Sequence, residues 1–322
     1  MNYLVFGGSG FIGTHLVNLL AESYPDSNIY NLDLRENNHT GKSNYINCDV
    51  RNPIKLNISV GPEDIIFNLA AVHTTPGHPD HEYFETNMLG AENITGFAEI
   101  YGVKKMIFTS SIAPYGASES MKTELTLPTP NTPYGISKLV AEKIHIAWQV
   151  KKENERELTI LRPGVVFGKG ENGNFTRLYF GIKGHKFFYA GRKDTIKASI
   201  YVKELVRFML FRVNSSNVGY DIFNCTYEPA FTIQQISESM MKATDMKRTI
   251  RKIPAGLLMF AANIIGSLGG KKLGIHPDRV KKLMISTNVN GAKLAKSGYD
   301  FKYSFEQALA DWYRDNNNTA LK

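Results

Sequence analysis

The pair with the clearest chemical potential is Tyr134 and Lys138, four residues apart in the run PYGISK. On a helix that spacing puts both side chains on one face, so the ammonium can lie beside the phenol. A neighbouring cation stabilises phenolate and would draw the tyrosine pKa down from about 10, letting its oxygen act as a base near neutral pH. In isolation the pattern would describe a surface tyrosine and a solvated lysine, so its weight depends on what precedes it. The run FTSSIAPYG comes first, with Ser110 and Ser111 ending an apolar strand, and the Ser111 hydroxyl can hydrogen-bond a substrate oxygen there. A helix-capping or turn serine is the plainer reading of Ser111 taken alone.

At the other end of the chain, GGSGFIG follows the first apolar run and leads into an amphipathic pattern. Gly7, Gly10 and Gly13, with Phe11 and Ile12 opening the helix, allow a tight turn and close backbone approach. Free N–H groups and the positive end of the helix dipole can then hold a dinucleotide pyrophosphate. Asp33 closes the second apolar run, where a carboxylate can accept from the adenosine ribose hydroxyls and repel a 2′-phosphate. This favours NAD over NADP, although Arg35 lies close enough to favour the phosphate instead. His73, His78 and His81 suggest a metal site, but no carboxylate or cysteine signature accompanies them and their spacing is not that of a helical zinc motif, so no metal is expected.

These residues need a scaffold, and the composition supplies the means for one. The chain has 322 residues, 43% hydrophobic and 21% charged, enough for a large core in one large or two modest domains. A formal net charge of +8 suits a dianionic ligand without selecting one; no nucleic-acid partner is expected. Two cysteines, Cys48 and Cys225, cannot build a disulfide framework, and reduced thiols point to a cytoplasmic setting. The N-terminus enters the first strand with no basic region or cleavage site, so no secretory signal is read. Ile253 to Leu268 is too short and interrupted to span a bilayer. Leu257, Phe260 or Ala261, Ile264 and Leu268 recur at helical spacing, as in a docking helix started by Pro254 and packed on the core.

Tyr3–Phe6, Ile29–Leu32, Tyr45–Cys48, Ile65–Ala70, Met106–Thr109 and Thr159–Leu161 read as buried strands alternating with helices. This predicts an α/β fold with a parallel sheet covered on both faces. Ile12, Leu16, Leu19 and Leu20 mark the first helix, ended by Pro25. The expected division is a Rossmann-type cofactor domain at 1–167 with a return segment at 196–213, and a smaller substrate lobe at 168–322. Ile200–Val202 is expected to rejoin the main sheet before a helix at Lys203–Arg212, and the Asn-rich tail near Asn316 is expected to fray.

Over nearly its whole length the sequence resembles the extended short-chain dehydrogenase/reductases, the NAD-dependent epimerase/dehydratase group. The resemblance rests on GGSGFIG, Asp33, Asp49-Val50, NLAA, Asn87, SSIAPYG, PYGISK, LRPGVVFG and the closing GYDFKYSFEQALADWY. It implies that Ser111, Tyr134 and Lys138 form the catalytic triad and that Lys138 also holds the nicotinamide ribose. Asp49 and Val50 would meet the adenine, Leu69, Ala70, Ala71 and Asn87 would line the cofactor cleft, and Pro163 to Val166 would lie beside the nicotinamide. Asn174 and Phe175 in GNF, with Lys197, resemble the substrate contacts of the nucleotide-sugar branch. A homodimer through helices at 87–101 and 134–151 is likewise implied.

The implied activity is a nucleotide-sugar 4-epimerase or 4-ketoreductase. Val165, where the galactose-epimerase branch has asparagine, leans slightly to the reductase. Ser111-Ile112-Ala113, where the 4,6-dehydratases carry Thr-Asp-Glu, argues against dehydration. A dehydrogenase of an apolar alcohol such as a sterol and a non-catalytic NAD-binding regulator are the competing readings.

Overall fold

The computed structural model describes residues 1–37, 42–73, 77–215, 218–258 and 284–322. Its strands are β1 (Asn2–Phe6), β2 (Asn28–Asp33), β3 (Asn44–Asn47), β4 (Ile65–Asn68), β5 (Lys105–Thr109), β6 (Ser118–Lys122) and β7 (Glu157–Pro163). After these come β8 (Val165–Phe167), β9 (Tyr189–Ala190), β10 (Ser199–Tyr201), β11 (Gly219–Cys225), β12 (Lys252–Ile253) and β13 (Thr287–Val289). Seven of them form one sheet in the order β11-β7-β5-β4-β1-β2-β3, and every pairing is parallel. Parallel strands buried on both faces read as largely apolar runs; in β4 and β5, Ile66, Phe67, Met106, Ile107 and Phe108 are all buried.

Helices α1 (Phe11–Ser23), α2 (Asp80–Tyr83), α3 (Gly90–Tyr101), α4 (Pro133–Val150), α5 (Asn174–Lys183), α6 (Val202–Val213) and α7 (Ile233–Ala243) precede a closing helix at Phe305–Asp315. Apolar residues of α1 and α6, Leu16, Val17, Leu20, Leu205 and Met209 among them, pack on one face of the sheet. Residues of α3 and α4, such as Ile94, Phe97, Ala141 and Trp148, pack on the other. The predicted six strands and the Rossmann-type doubly wound architecture are present. A third core, rich in aromatic rings, gathers Phe167, Phe175, Tyr201, Tyr227, Phe305 and Trp312 beneath α5, α7 and the closing helix.

Three features differ from the sequence expectation. Ile200 does not rejoin the large sheet: β10 pairs with β8 in a separate two-stranded sheet. The cause is local, because β7 ends at Pro163 and Gly164 presses against the chain at Ala198, where a Cβ would meet the Ala198 carbonyl oxygen at 2.5 Å. Instead the large sheet takes its edge strand from Gly219–Cys225, within the stretch assigned to the substrate lobe. The Asn-rich tail is docked rather than frayed: Asn316 Nδ2 and Trp312 Nε1 both donate to the Lys322 carbonyl, and Leu321 is fully buried. Most of the apolar run at 253–268, with the docking helix expected there, lies outside the described residues; of the expected contacts only Leu257 falls within them, and it is exposed. Among the described residues, no helix is long and apolar enough to cross a membrane.

Candidate active site

The site lies along the C-terminal edge of the large sheet, where open α/β folds bind ligands. At its centre the glycine turn leaves β1 and enters α1. Gly7 has φ of +81°, and an added Cβ would lie 2.7 Å from the Ala70 backbone nitrogen. At Gly13 a Cβ would lie 2.2 Å from the Gly7 carbonyl oxygen, so neither position accepts a side chain. Gly10 caps α1 without a side-chain acceptor, and no acidic residue occupies the first turn with Phe11 and Ile12. The positive end of the helix is thus left for an external anion. Asp33 ends β2 directly beside this turn, and its Oδ2 accepts from Ser9 N at 3.0 Å. A dinucleotide pyrophosphate fits this cradle, and Asp33 is the carboxylate nearby that would accept from ribose hydroxyls.

Around the cradle the other expected cofactor residues take mixed positions. Asp49 is held bidentately by Arg51, which lowers its pKa. The Val50 side chain is buried in the core against Gly90. Leu69, Ala70 and Ala71 follow β4 beside the glycine turn. Asn87 sits in a π-helical stretch, Phe84–Leu89, a wide turn of a kind often found at functional sites. Its amide accepts from Val72 N at 2.9 Å and donates to Val72 O and Ser137 Oγ. Asn87 therefore braces the loop after Ala71 against α4. Pro163 accepts from Ile112 N at 3.1 Å, tying the residue after Ser111 to the end of β7, and Val166 follows in β8.

Helix α4 begins with Thr132 as N-cap, accepting from Gly135 N, and Pro133 in the first turn. This start brings the Tyr134 phenol beside Ser111, with the Tyr83 ring centre 6.2 Å away. The buried face of α4 is unusual, carrying Lys138, Glu142 and His145 at helical spacing. Lys138 Nζ donates to the Thr109 carbonyl at 2.7 Å and lies 4.3 Å from the Phe108 ring centre. Burial, only partly offset by Glu142, drops its pKa to about 7.

The sequence expectation that Lys138 draws the Tyr134 pKa down is not met in the protein alone. Burial raises that phenol above its ordinary value, and only the Ser111 hydrogen bond pulls the other way. The physical reason is that the ammonium is turned to Thr109 O and is itself weakened by burial.

The expected substrate residues differ in their surroundings. Phe175 is a core side chain, 3% exposed and stacked on Phe167, so its ring offers no surface to a ligand. Asn174 opens α5 and its Oδ1 accepts from Arg177 at 3.1 Å. The Lys197 ammonium donates to the Ile285 carbonyl at 2.8 Å. Of the three histidines, His78 pairs with Glu82, and burial lowers the pKa of His73. No cluster of metal-ligating side chains occurs among the described residues.

Two groups escaped the sequence reading. His145, fully buried, stacks on Phe108 at 4.1 Å; its Nδ1 contacts the Ala141 carbonyl and its Nε2 the Asn68 amide. Glu142 and Arg162 form a buried bidentate pair that also takes in Ser110 and Tyr115. Glu142 stands four residues after Lys138, and that spacing on the same helix face was the available signal.

This arrangement of glycine cradle, adjoining carboxylate and a serine, tyrosine and lysine at one end of a doubly wound sheet is that of a nicotinamide-dependent enzyme of the extended short-chain dehydrogenase/reductase type. Residues 3–226 match the NAD dependent epimerase/dehydratase family, and the chain belongs to it. An Escherichia coli O157:H7 protein named N-acetyl-alpha-D-glucosaminyl-diphospho-ditrans,octacis-undecaprenol 4-epimerase is 32% identical over 96% of this chain and 93% of its own. Among solved structures, a UDP-N-acetylglucosamine 4-epimerase from Methanobrevibacter ruminantium superposes with a TM-score of 0.73 at 20% identity. That match covers 98% of each chain. A Bacillus cereus UDP-glucuronic acid 4-epimerase in complex with NAD gives 0.72 at 19%, over 98% of this chain and 99% of its own.

Proposed function

We propose that this protein is an NAD-dependent 4-epimerase of a hexose carried on a diphosphate, with Tyr134 as the acid–base residue. The observation that carries the reading is the meeting of the glycine cradle, Asp33, Ser111, Tyr134 and Lys138 at one sheet edge. NAD, when bound, supplies the reversible hydride acceptor. Oxidation at C4 frees the hydroxyl proton, which Tyr134 accepts and later returns to the ketone oxygen. Ser111 can hold that oxygen and is the neighbour that favours the phenolate against burial, while Lys138 stands one helical turn further along the same face.

Val165 leaned toward a reductase; the full-length likeness to a named 4-epimerase supports epimerisation instead. Ile112 and Ala113 supply neither the base nor the acid that removal of water would need. The diphosphate is the shared chemistry of two substrates, a nucleotide sugar, as the sequence motifs suggest, and a polyprenyl-linked sugar, as the E. coli relative's name states.

The cofactor side comprises the large sheet with its glycine turn. The substrate side is formed by the segments after residue 168, where Asn174 and Lys197 are the proposed diphosphate contacts. A cytoplasmic homodimer is the expected assembly, through the outer faces of α3 and α4, where Ile100, Ile136 and Val150 are exposed.

The test incubates the full chain and catalytic NAD with UDP-N-acetylglucosamine, and in parallel with polyprenyl-diphosphate N-acetylglucosamine, following the sugar by NMR. The 4-epimer should accumulate to equilibrium in one arm, with no net cofactor consumption. A 4-keto-6-deoxy product, or conversion of a 4-keto sugar only with stoichiometric NADH, would overturn the reading.

A further inference from the structure

The buried face of α4, with Arg162 of β7 against it, gathers ionisable groups at almost zero exposure, and the reaction proposed above uses one of them, Lys138. Lys138 is 1% exposed, Glu142 1% and, reaching in from β7, Arg162 3%. Lysine, glutamate and arginine reach such burial only when paired. Glu142 Oε1 accepts from Ser110 Oγ at 2.6 Å and Arg162 Nε at 2.8 Å, while Oε2 accepts from the same guanidinium at 2.6 Å. Arg162 goes on to the Tyr115 hydroxyl at 2.6 Å, and Tyr115 to Asn224 on β11 at 2.9 Å. One carboxylate therefore joins the strand end that carries Ser111, the helix that carries Tyr134 and Lys138, and the strand that runs into Pro163.

We propose that Glu142 is a positioning residue for the Ser-Tyr-Lys set, fixing the Ser110–Ser111 strand end and keeping Lys138 cationic from one helical turn away. This rests on the reading of Tyr134 and Lys138 given above. The charged and titratable groups around Lys138 are Tyr134, Glu142 and His145 on its own helix, His73 from the loop after β4, and Arg162 with Tyr115 from beyond Glu142. From β5 it meets Phe108 and Thr109, which carry no charge. Glu142 is thus the anion whose field supports the ammonium against its burial.

The experiment follows the Lys138 side-chain nitrogen by NMR in lysine-labelled full-length protein, with and without NAD, assigning the signal by its loss in Lys138→Met. This titration needs no sugar, so a wrong substrate assignment leaves it readable. In Glu142→Gln, which keeps the shape and an acceptor for Ser110, the Lys138 midpoint should fall by about one pH unit or more, a tenfold shift in its proton affinity. Glu142→Gln leaves Arg162 buried without its anion, so Glu142→Gln/Arg162→Gln, a neutral pair able to hydrogen-bond, serves as the second variant and should show the same direction. Ser110→Ala should slow turnover and leave the Lys138 midpoint in place. A folded Glu142 variant whose Lys138 titrates as in the wild type would overturn the proposal. So would failure of the neutral pair to fold, which would make Glu142 a staple of the fold alone.

Discussion

His145 gives the sharpest test of how burial sets charge in this site. Its Nδ1 lies 2.7 Å from the Ala141 carbonyl, which can only accept, so the neutral ring carries its proton there. Nε2 then accepts from the Asn68 amide at 3.1 Å, and a second proton would meet a donor in an enclosed pocket. Burial therefore lowers the histidine pKa from 6.5 to about 4. Between those values the unfolded chain binds a proton that the folded chain refuses, so stability falls as pH drops through that window and is complete above it. The displacement corresponds to about 3 kcal/mol over the whole window, of which about 2 kcal/mol is lost between pH 7 and pH 5. Urea unfolding of wild type and His145→Gln at both values isolates this share, because the surface carboxylates titrate alike in the two proteins. The variant should be less stable at pH 7 through lost packing on Phe108 and should lose about 2 kcal/mol less on acidification. Parallel losses in the two proteins would refute the assignment.

Tyr134→Phe should abolish turnover while NAD affinity, read by calorimetry, stays near wild type, since only the hydroxyl is removed. Retained activity would remove the central role given to this residue. Lys138→Met should damage turnover and nicotinamide-side binding together, and unchanged cofactor affinity would argue against its second role. Asp33→Ala should weaken NAD and narrow the preference over NADP in direct binding measurements; a wild type that already prefers NADP would mean that Arg35 sets the choice. Gly13→Ala drives a methyl group to 2.2 Å from the Gly7 oxygen, so the turn must shift and NAD affinity should fall at least tenfold.

The sheet was legible because buried parallel strands are written as unbroken apolar runs, and the cofactor cradle because only glycine can stand where backbones touch. That Tyr134 and Lys138 share one helix, α4, was legible through order and spacing. The Tyr134 charge balance was not, since spacing shows that Lys138 can face the phenol but cannot show the Thr109 carbonyl competing for its ammonium. Phe175 illustrates the opposite failure: a motif position read as a ligand contact is occupied by a ring that stacks on Phe167. Strand β11 was missed because GYDIFNC mixes polar and apolar residues, as its place at an edge permits. Glu142 was passed over although four residues separate it from Lys138, because a glutamate on a helix usually faces water.

Strand β11 has a consequence for how the chain can be made. It pairs with β7 in register along seven residues, from Gly219 against Glu157 to Cys225 against Pro163, after the chain has travelled through α5 and α6. Until residue 225 has left the ribosome, β7 presents a row of unpaired backbone groups to any neighbouring nascent chain. A fragment cut after Phe167, where the glycine turn, Asp33, Ser111, Tyr134 and Lys138 are all present, would carry every cofactor residue and still display an adhesive edge. The boundary that leaves this edge covered falls after Cys225, far beyond the last residue of the site it protects.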